Sequence, residues 1–404
     1  MENAEPLLLV SQHYAPEVTG NAPYVAALAR ALHAKGREVC VVTTFPHYPD
    51  WRLGSDATWA RVDRVDGVEV RRLRHYVPTH PSTLRRLLSE LSFGARVWFT
   101  RWPAQAKLML VTPGLFSSAL VRMRRPGSDT TIWVQDLYSL GMTETRNGPS
   151  WLSRLVTAAE RWTLGRGARV VVIHDRFKRH VVDQLGLDEA NVTVIRNWTH
   201  LTTSSISPDH REVRNRHGWS SEETIILHAG NQGVKQGLDN VVEAARYADA
   251  EQIPVRFVLL GGGNQHRHLV ESARGIARIQ FLGSLSDSDY QAAMHASDLL
   301  LVNEREGVSE MSVPSKLTSY FTAGRPVIAR TDPGGVTAEE VALSGAGISV
   351  SSTDPADLVA AAIELVENRE LYTQLSGAGP AFVSAHLMET AAVEAFESAL
   401  FPDP

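Results

Sequence analysis

Lys235 lies in the stretch His228-Ala229-Gly230-Asn231-Gln232-Gly233-Val234-Lys235-Gln236-Gly237, after an apolar run at 224–227 and before a helical pattern that begins at Leu238. Glycines placed after a buried strand let the backbone approach a ligand and take up positive φ. The helix that follows turns unpaired N–H groups and the positive end of its dipole to the same point. Gly230, Gly233 and Gly237 with a lysine among them therefore read as a phosphate cradle, in which Lys235 sets an ammonium against a diphosphate. The other reading is an ordinary strand-to-helix turn with a solvated lysine. Gly-x-x-x-x-Gly-Lys-[Ser/Thr] is absent, and residues 11–16 after the first strand do not form Gly-x-Gly-x-x-Gly; P-loop and nicotinamide chemistry lose their footing.

Two further loops have the same character. Gly261-Gly262-Gly263 follows the apolar run 255–260. In 306–327, Pro314 suits the first turn of a helix, Ser312 is placed to cap it and Gly324-Arg325-Pro326 ends it. Amides near Met311 and Ser312 would point outward from that helix start. Lys316 in the first turn opposes the helix dipole, which an anion nearby would rationalise; the alternative is an exposed lysine tolerated at small cost.

The first half offers acid–base groups instead. His13, His47, Tyr48, Arg52 and Asp136 each follow a strand-like run, where a histidine or aspartate could orient or deprotonate a hydroxyl. His174-Asp175 is a weaker candidate. Triad and His-Glu-x-x-His spacings are missing, so hydrolase and zinc readings have no support. Asp287-Ser288-Asp289 has the form of a metal-binding Asp-x-Asp, but it follows Ser286 at a helix start, where a cap and first-turn acids belong. No metal is expected.

These residues need a scaffold that delivers loops to one edge. Val/Ile/Leu-rich runs near 7–11, 38–44, 68–73, 107–111, 130–134, 169–173 and 192–196 alternate with helical patterns, and runs near 224–228, 255–260, 278–282, 298–302, 326–330 and 347–350 repeat the scheme. Strand, helix, strand at this spacing requires parallel sheets with helices on both faces. With 404 residues the chain suits two domains. Residues 1–200 are expected to form the first, 201–218 a linker, 219–384 the second, and 385–404 a terminal helix that crosses back to the first. Ligands in such folds bind at the carboxyl ends of the strands, here in a cleft between the two domains.

Composition is that of a soluble globular protein, with 43% hydrophobic and 21% charged residues and no apolar run long enough to span a bilayer. The acidic beginning, Met1 to Glu5, is unlike a signal peptide, so a cytoplasmic location is expected. Cys40, the single cysteine, excludes internal disulfides and fills core. Net charge is −5, yet residues 61–125 hold thirteen Lys/Arg against four Asp/Glu. Within that basic region, residues 84–102 join Arg85, Arg86, Arg96 and Arg101 with Trp98, Phe99 and Trp102. That composition suits peripheral contact with an anionic membrane or, alternatively, a packed helix with a solvated edge. Nothing points to nucleic acid.

Six segments, 14–52, 133–142 (Trp-Val-Gln-Asp-Leu-Tyr-Ser-Leu-Gly-Met), 192–198, 228–238, 281–290 and 312–329, resemble in order the retaining family-4 glycosyltransferases of GT-B fold, colanic-acid and exopolysaccharide type. The resemblance covers nearly the whole chain. It implies an α/β GT-B fold, two facing Rossmann-like doubly wound parallel-sheet domains, the first binding acceptor and the second a sugar nucleotide. The implied reaction moves a hexose-type sugar, with retained configuration, from a nucleoside diphosphate sugar, UDP expected, to a hydroxyl acceptor of polysaccharide or lipid-linked oligosaccharide. No separate cofactor is implied.

By position, the resemblance gives Lys235 the donor diphosphate, Gly20 and Asn21 the loop under the phosphates, and Asp136 a place near the reacting sugar. It gives Ser309, Met311 and Ser312 to the sugar and phosphate, and Leu285 to the base. Two positions depart from the family: Ser319 stands where a ribose-binding glutamate is usual, and Asn231 where an arginine is usual. A natural-product glycosyltransferase with a soluble acceptor, a sugar-nucleotide epimerase, and a non-catalytic sugar-nucleotide-binding protein are the competing readings.

Overall fold

A computed structural model of the chain describes residues 5–17, 20–48, 50–80, 82–125, 130–145, 150–165, 169–199, 209–307 and 316–402. The chain divides into two compact units, Met1–Asn197 with Glu389–Pro404, and Trp198–Met388.

The first unit is built on strands β1 (Leu7–Ser11), β2 (Val39–Thr44), β3 (Ala60–Val65), β4 (Val68–Leu73), β5 (Lys107–Val111), β6 (Thr130–Val134), β7 (Arg169–Val172) and β8 (Val192–Val194), in the order β3-β4-β2-β1-β5-β6-β7-β8. Pairing is parallel except between β3 and β4. The central strands are buried along their whole length, as a sheet covered on both faces demands.

The antiparallel edge strand β3 was not expected. Its residues alternate between exposed and half-buried, so no apolar run marks it. The signal was the turn: Asp66 and Gly67 have φ of 50° and 83°, the double positive φ of a tight hairpin.

The second unit carries β9 (Thr224–Ala229), β10 (Val255–Leu260), β11 (Ile279–Leu282), β12 (Leu299–Asn303), β13 (Val327–Arg330) and β14 (Gly347–Val350), ordered β11-β10-β9-β12-β13-β14 and all parallel. Strand order reverses at β1 in the first sheet and at β9 in the second. A crevice opens outside the strand ends at such a point.

Two boundaries differ from expectation. Much of the stretch assigned to the linker is a helix, His210–His217, capped by Asp209 Oδ1 on the Arg211 amide at 2.9 Å and closed by Gly218 at φ 72°. Val213 and Trp219 anchor it in the core, and Arg214 pairs with Asp298 at 3.1 Å. With one apolar residue in eight, it shows no periodicity in sequence. At the other end, Ala385 and His386 still belong to the helix Arg369–His386, and a separate helix, Glu389–Leu400, begins after the break. That last helix packs in the first unit: Phe396 lies against Trp133 at 4.6 Å, and Glu397 holds Lys35 and Arg37 at 2.8 and 3.0 Å.

Candidate functional site

The loop after β9 is shaped by backbone contacts. Gly230 has φ 125°, and its amide donates to the Leu260 carbonyl at 2.9 Å. Gly261 is glycine because a Cβ there would lie 2.4 Å from the Gly230 carbonyl oxygen, and Gly263 because one would lie 2.4 Å from that of Gln232. The second glycine loop therefore braces the first. Gly262, whose missing Cβ would meet nothing within 4 Å, is the member facing open space. Gln232 is buried beneath both loops, its amide nitrogen 3.3 Å from the Gly261 carbonyl and its Oε1 2.7 Å from His266 Nδ1.

Lys235 sits exposed on a one-turn 3-10 helix, Val234–Gln236, and not at the start of the long helix Asp239–Ala250. Gly237, at φ 53°, then lets the chain pass the backbone of Arg305 after β12. The 3-10 turn is tied down by Asn303 Nδ2 on the Gln236 and Gly237 carbonyls, at 2.6 and 3.0 Å, and by the Arg305 amide on the Lys235 carbonyl at 2.9 Å. The long helix already carries Asp239 in its first turn, paired with His268 at 2.8 Å. Its dipole is thus partly answered from within the protein, and the groups left facing outward are those of the 3-10 turn and the glycine loop. Asn231, in the usual arginine position, is exposed at its rim.

Lys316 is partly buried, not solvated. Its Nζ lies 3.1 Å from His228 Nε2, and Gly230 passes so close that a Cβ there would stand 3.7 Å from the same Nζ. Burial pushes the Lys316 ammonium down to about 7, with Glu304 pulling the other way. Ser309, Met311 and Ser312 fall outside the described residues, as does Pro314. Ser319 is half-buried and hydrogen-bonded to Tyr290. Leu285, also half-buried, packs against the core just before the cap Ser286. Ser286 Oγ accepts the Asp289 amide at 3.2 Å, and Asp289 pairs with Arg216 at 3.1 Å; the Asp-x-Asp string is a helix start.

In the first unit the loop after β1 meets the loop after β2 around a carboxylate that the sequence reading passed over, Glu17. Its Oε2 lies 2.7 Å from His13 Nδ1, and its Oε1 accepts the amides of His47 and Tyr48 at 2.8 and 3.0 Å. Burial works to raise the Glu17 carboxyl. The hydrogen bonds from His13 and from the two amides outweigh it and hold the group below its usual range, so Glu17 is ionised.

His47 stacks on His13 at 5.3 Å and edges onto His75 at 4.8 Å. Its side chain is wholly enclosed, its Nδ1 is 3.0 Å from the Phe45 carbonyl, and burial lowers its basicity. Expected on the acceptor side, His47 is enclosed in this structure. His13, with 14% of its side chain exposed, is the member that reaches solvent.

His13, Glu17 and His47 place one nitrogen or oxygen each within 4.8 Å of the others, a spacing a divalent ion could use. Glu17 Oε1 accepts two backbone amides and His47 Nδ1 faces the Phe45 carbonyl, while the buried His47 Nε2 has no described partner. Through the Glu17 hydrogen bonds the trio also links the two loops.

The remaining candidates lie close by. Asn21 turns inward, its Nδ2 donating to the Thr112 carbonyl after β5 at 3.0 Å, while Gly20 beside it is exposed at φ 64°. The Asp136 carbonyl accepts from Thr112 Oγ1 at 3.3 Å. Two more carboxylates hold helix starts. Glu90 accepts the Phe116 amide at 3.0 Å and the Tyr138 hydroxyl at 2.8 Å. Glu160 accepts the amides of Tyr138 and Ser139 at 2.7 and 3.2 Å. His174 is the N-cap of the helix Asp175–Asp183, accepting the Arg176 amide at 3.0 Å.

The aromatic residues of 84–102 are mostly committed. Trp102 donates to the Val97 carbonyl at 3.2 Å with Arg124 stacked on it at 4.2 Å, and Arg96 stacks on Trp59 at 3.8 Å. Trp98 is half-buried, so the tryptophans are not a free apolar edge; the exposed side chains are Leu84, Leu88 and Phe99, beside Arg85 and Arg86.

Two doubly wound units, the second with a glycine-lysine loop at its switch strand, define a GT-B architecture. Residues 19–198 match the family model described as a glycosyl transferase 4-like domain, and residues 209–382 match that of the glycosyl transferases group 1. The chain is 31% identical, over 79% of its length and 81% of the relative's, to the putative colanic acid biosynthesis glycosyl transferase WcaI of Escherichia coli strain K12. Among solved structures it is similar to WaaG, a glycosyltransferase involved in lipopolysaccharide biosynthesis, with TM-score 0.71 and 16% identity over 98% of this chain and 100% of that one. It is likewise similar to Anabaena Alr3699/HepE in complex with UDP-glucose, with TM-score 0.69 and 16% identity over 98% and 99%. The chain belongs to the family-4 glycosyltransferases of GT-B fold, and it is a glycosyltransferase.

Proposed function

We propose that the protein transfers a hexose-type sugar, with its anomeric configuration retained, from a UDP-sugar to a hydroxyl group in the synthesis of a polysaccharide or lipid-linked oligosaccharide. The observation that carries this reading is the loop after β9. There the exposed Lys235 of the 3-10 turn and the partly buried Lys316 of the helix Lys316–Ala323 lie at a glycine turn on a switch strand, and among the described residues neither has an ion-pair partner within 4 Å.

In the reaction the bond from the anomeric carbon to the phosphate oxygen breaks and a bond to the acceptor oxygen forms. The acceptor proton passes to a departing phosphate oxygen. Negative charge grows on the diphosphate as the bond lengthens, so Lys235 and Lys316 stabilise the transition state more than the ground state. No metal is needed for that task, because fixed cations perform it. On the acceptor side, His13, oriented by ionised Glu17, holds the incoming hydroxyl with Asp136. The relative's colanic acid role and the UDP-glucose complex of the structural neighbour support the substrate class.

A thermal-shift screen against UDP, GDP, ADP and their sugars tests the reading, because a ligand raises stability by RT ln(1 + [L]/Kd). UDP and a UDP-sugar should raise the melting temperature, and Lys235→Ala should lower kcat/KM by about 10²-fold or more. A full-rate Lys235→Ala enzyme, or no response to any nucleotide, would overturn it.

A lipid-linked acceptor also calls for membrane contact. Among the described residues no helix is long and apolar enough to cross a bilayer. The exposed Leu84, Leu88 and Phe99 beside Arg85 and Arg86 suit an anionic surface. The protein should co-sediment with vesicles containing phosphatidylglycerol and lose that affinity on Leu84→Glu/Leu88→Glu. Binding that is indifferent to both substitutions would count against this contact.

A further inference from the structure

Lys316 and His228 come from helix Lys316–Ala323 and from β9, and they face each other across 3.1 Å with no acid between them. His228 is fully buried; its Nδ1 lies 3.2 Å from the Leu301 carbonyl, and the ring is also hydrogen-bonded to the Asn231 backbone. Burial, reinforced by the charge of Lys316, keeps His228 well below its usual basicity, so the imidazole is neutral.

The other charged and titratable groups around the pair are accounted for. Glu304, after β12, takes the hydroxyls of Thr331 and Thr337, the latter at 2.7 Å, and acts on Lys316 only from a distance. Tyr320, one turn along the same helix, spends its hydroxyl on the Ala229 amide at 2.8 Å. Lys235 is exposed on the neighbouring 3-10 turn, and Glu310 lies outside the described residues.

Two nitrogen bases thus share a site that holds one proton, directly under Gly230. Without an anion, a neutral imidazole is the one described partner of the ammonium.

We infer that a nucleotide diphosphate seating on the Gly230 loop draws a proton from solvent onto Lys316, so that donor binding and proton uptake are a single event. This rests on the nucleotide-sugar reading above and adds to it a dependence on pH. Lys316 is half-deprotonated near about pH 7 in the free protein, and a neighbouring diphosphate restores its ordinary basicity. Affinity is therefore flat below about pH 7 and weakens by about tenfold per pH unit above it, until the bound-state value is passed. His228 acts as a positioning residue, an uncharged neighbour that holds the lysine under the loop without competing for charge.

Isothermal titration calorimetry with UDP-glucose, whose diphosphate diester does not titrate near neutrality, measures the uptake when repeated in two buffers of different protonation enthalpy. Near one proton per nucleotide is expected at about pH 8 and close to none at about pH 6. Lys316→Arg, which carries a cation that does not titrate, should bind UDP-glucose with no uptake at either pH.

Binding by the native protein without uptake at about pH 8 would overturn the inference and leave the nucleotide reading standing; failure to bind UDP-glucose at all would strike that reading instead. A measurement free of ligand separates the two. Because the folded-state basicity of Lys316 is depressed, the native protein should gain thermal stability relative to Lys316→Met as pH rises from about 7 to 9. Parallel melting curves would overturn the inference.

Discussion

Glu90 shows how much a single buried acid can decide. Burial pushes its carboxyl up to about 7, against the hydrogen bonds from the Phe116 amide and the Tyr138 hydroxyl. The folded state therefore binds this proton more tightly than the unfolded chain. The stability it contributes is fully present below about pH 4 and is lost as pH rises through about 7. The span corresponds to roughly 3 kcal/mol. In Glu90→Gln that decline should vanish, so the variant's melting temperature should rise relative to the native protein between about pH 5 and 8. Circular dichroism melts across that range check it, and curves that stay parallel would reject the assignment.

Residues of this kind are hard to read in advance. Glu90 sits in an amphipathic helix where an acid reads as solvated, and Glu17 sits in a turn after a proline. Each acquires its meaning from amides tens of positions away, as Glu17 does from His47 and Tyr48. The glycine turn that carries Lys235 was legible because its neighbours in sequence are also its neighbours in space. The burial of Lys316 was not, because it depends on His228, 88 positions earlier.

At the level of secondary structure, the parallel strands were legible from apolar runs, since a strand covered on both faces must be apolar throughout. Elements that bury little escaped: β3 along an edge, and His210–His217 with Val213 as its buried residue. The helix Glu389–Leu400 is the opposite case, with Val393, Phe396 and Leu400 all buried against the first unit. Burying three such side chains is worth roughly 5 kcal/mol, comparable to the net stability of a whole domain. Truncation after Met388 should therefore unfold the first unit while the second still melts cooperatively. Limited proteolysis would show it: a fragment that keeps residues 209–387 intact is expected, and equal resistance of residues 5–197 would refute the assignment.

For the chain as a whole, each sheet reverses its strand order at one strand, β1 and β9, and several of the candidate site residues lie on the loops leaving those two strands. His13 and Glu17 follow β1 and close on His47 after β2, and the glycine loop with Lys235 follows β9. This arrangement explains why short motifs at wide separations carried the reading. A doubly wound unit restricts ligand chemistry to a few strand exits, and the intervening helices are free to vary around them.

The return of Glu389–Leu400 to the first unit also sets an order of events at the ribosome. The unit that is synthesised first is finished last, because its sheet stays uncovered at Trp133 until Phe396 has left the exit tunnel. Residues 198–388 are made whole in the meantime. The nascent chain thus carries an open apolar seam through most of its translation, a stretch in which a chaperone has something to hold.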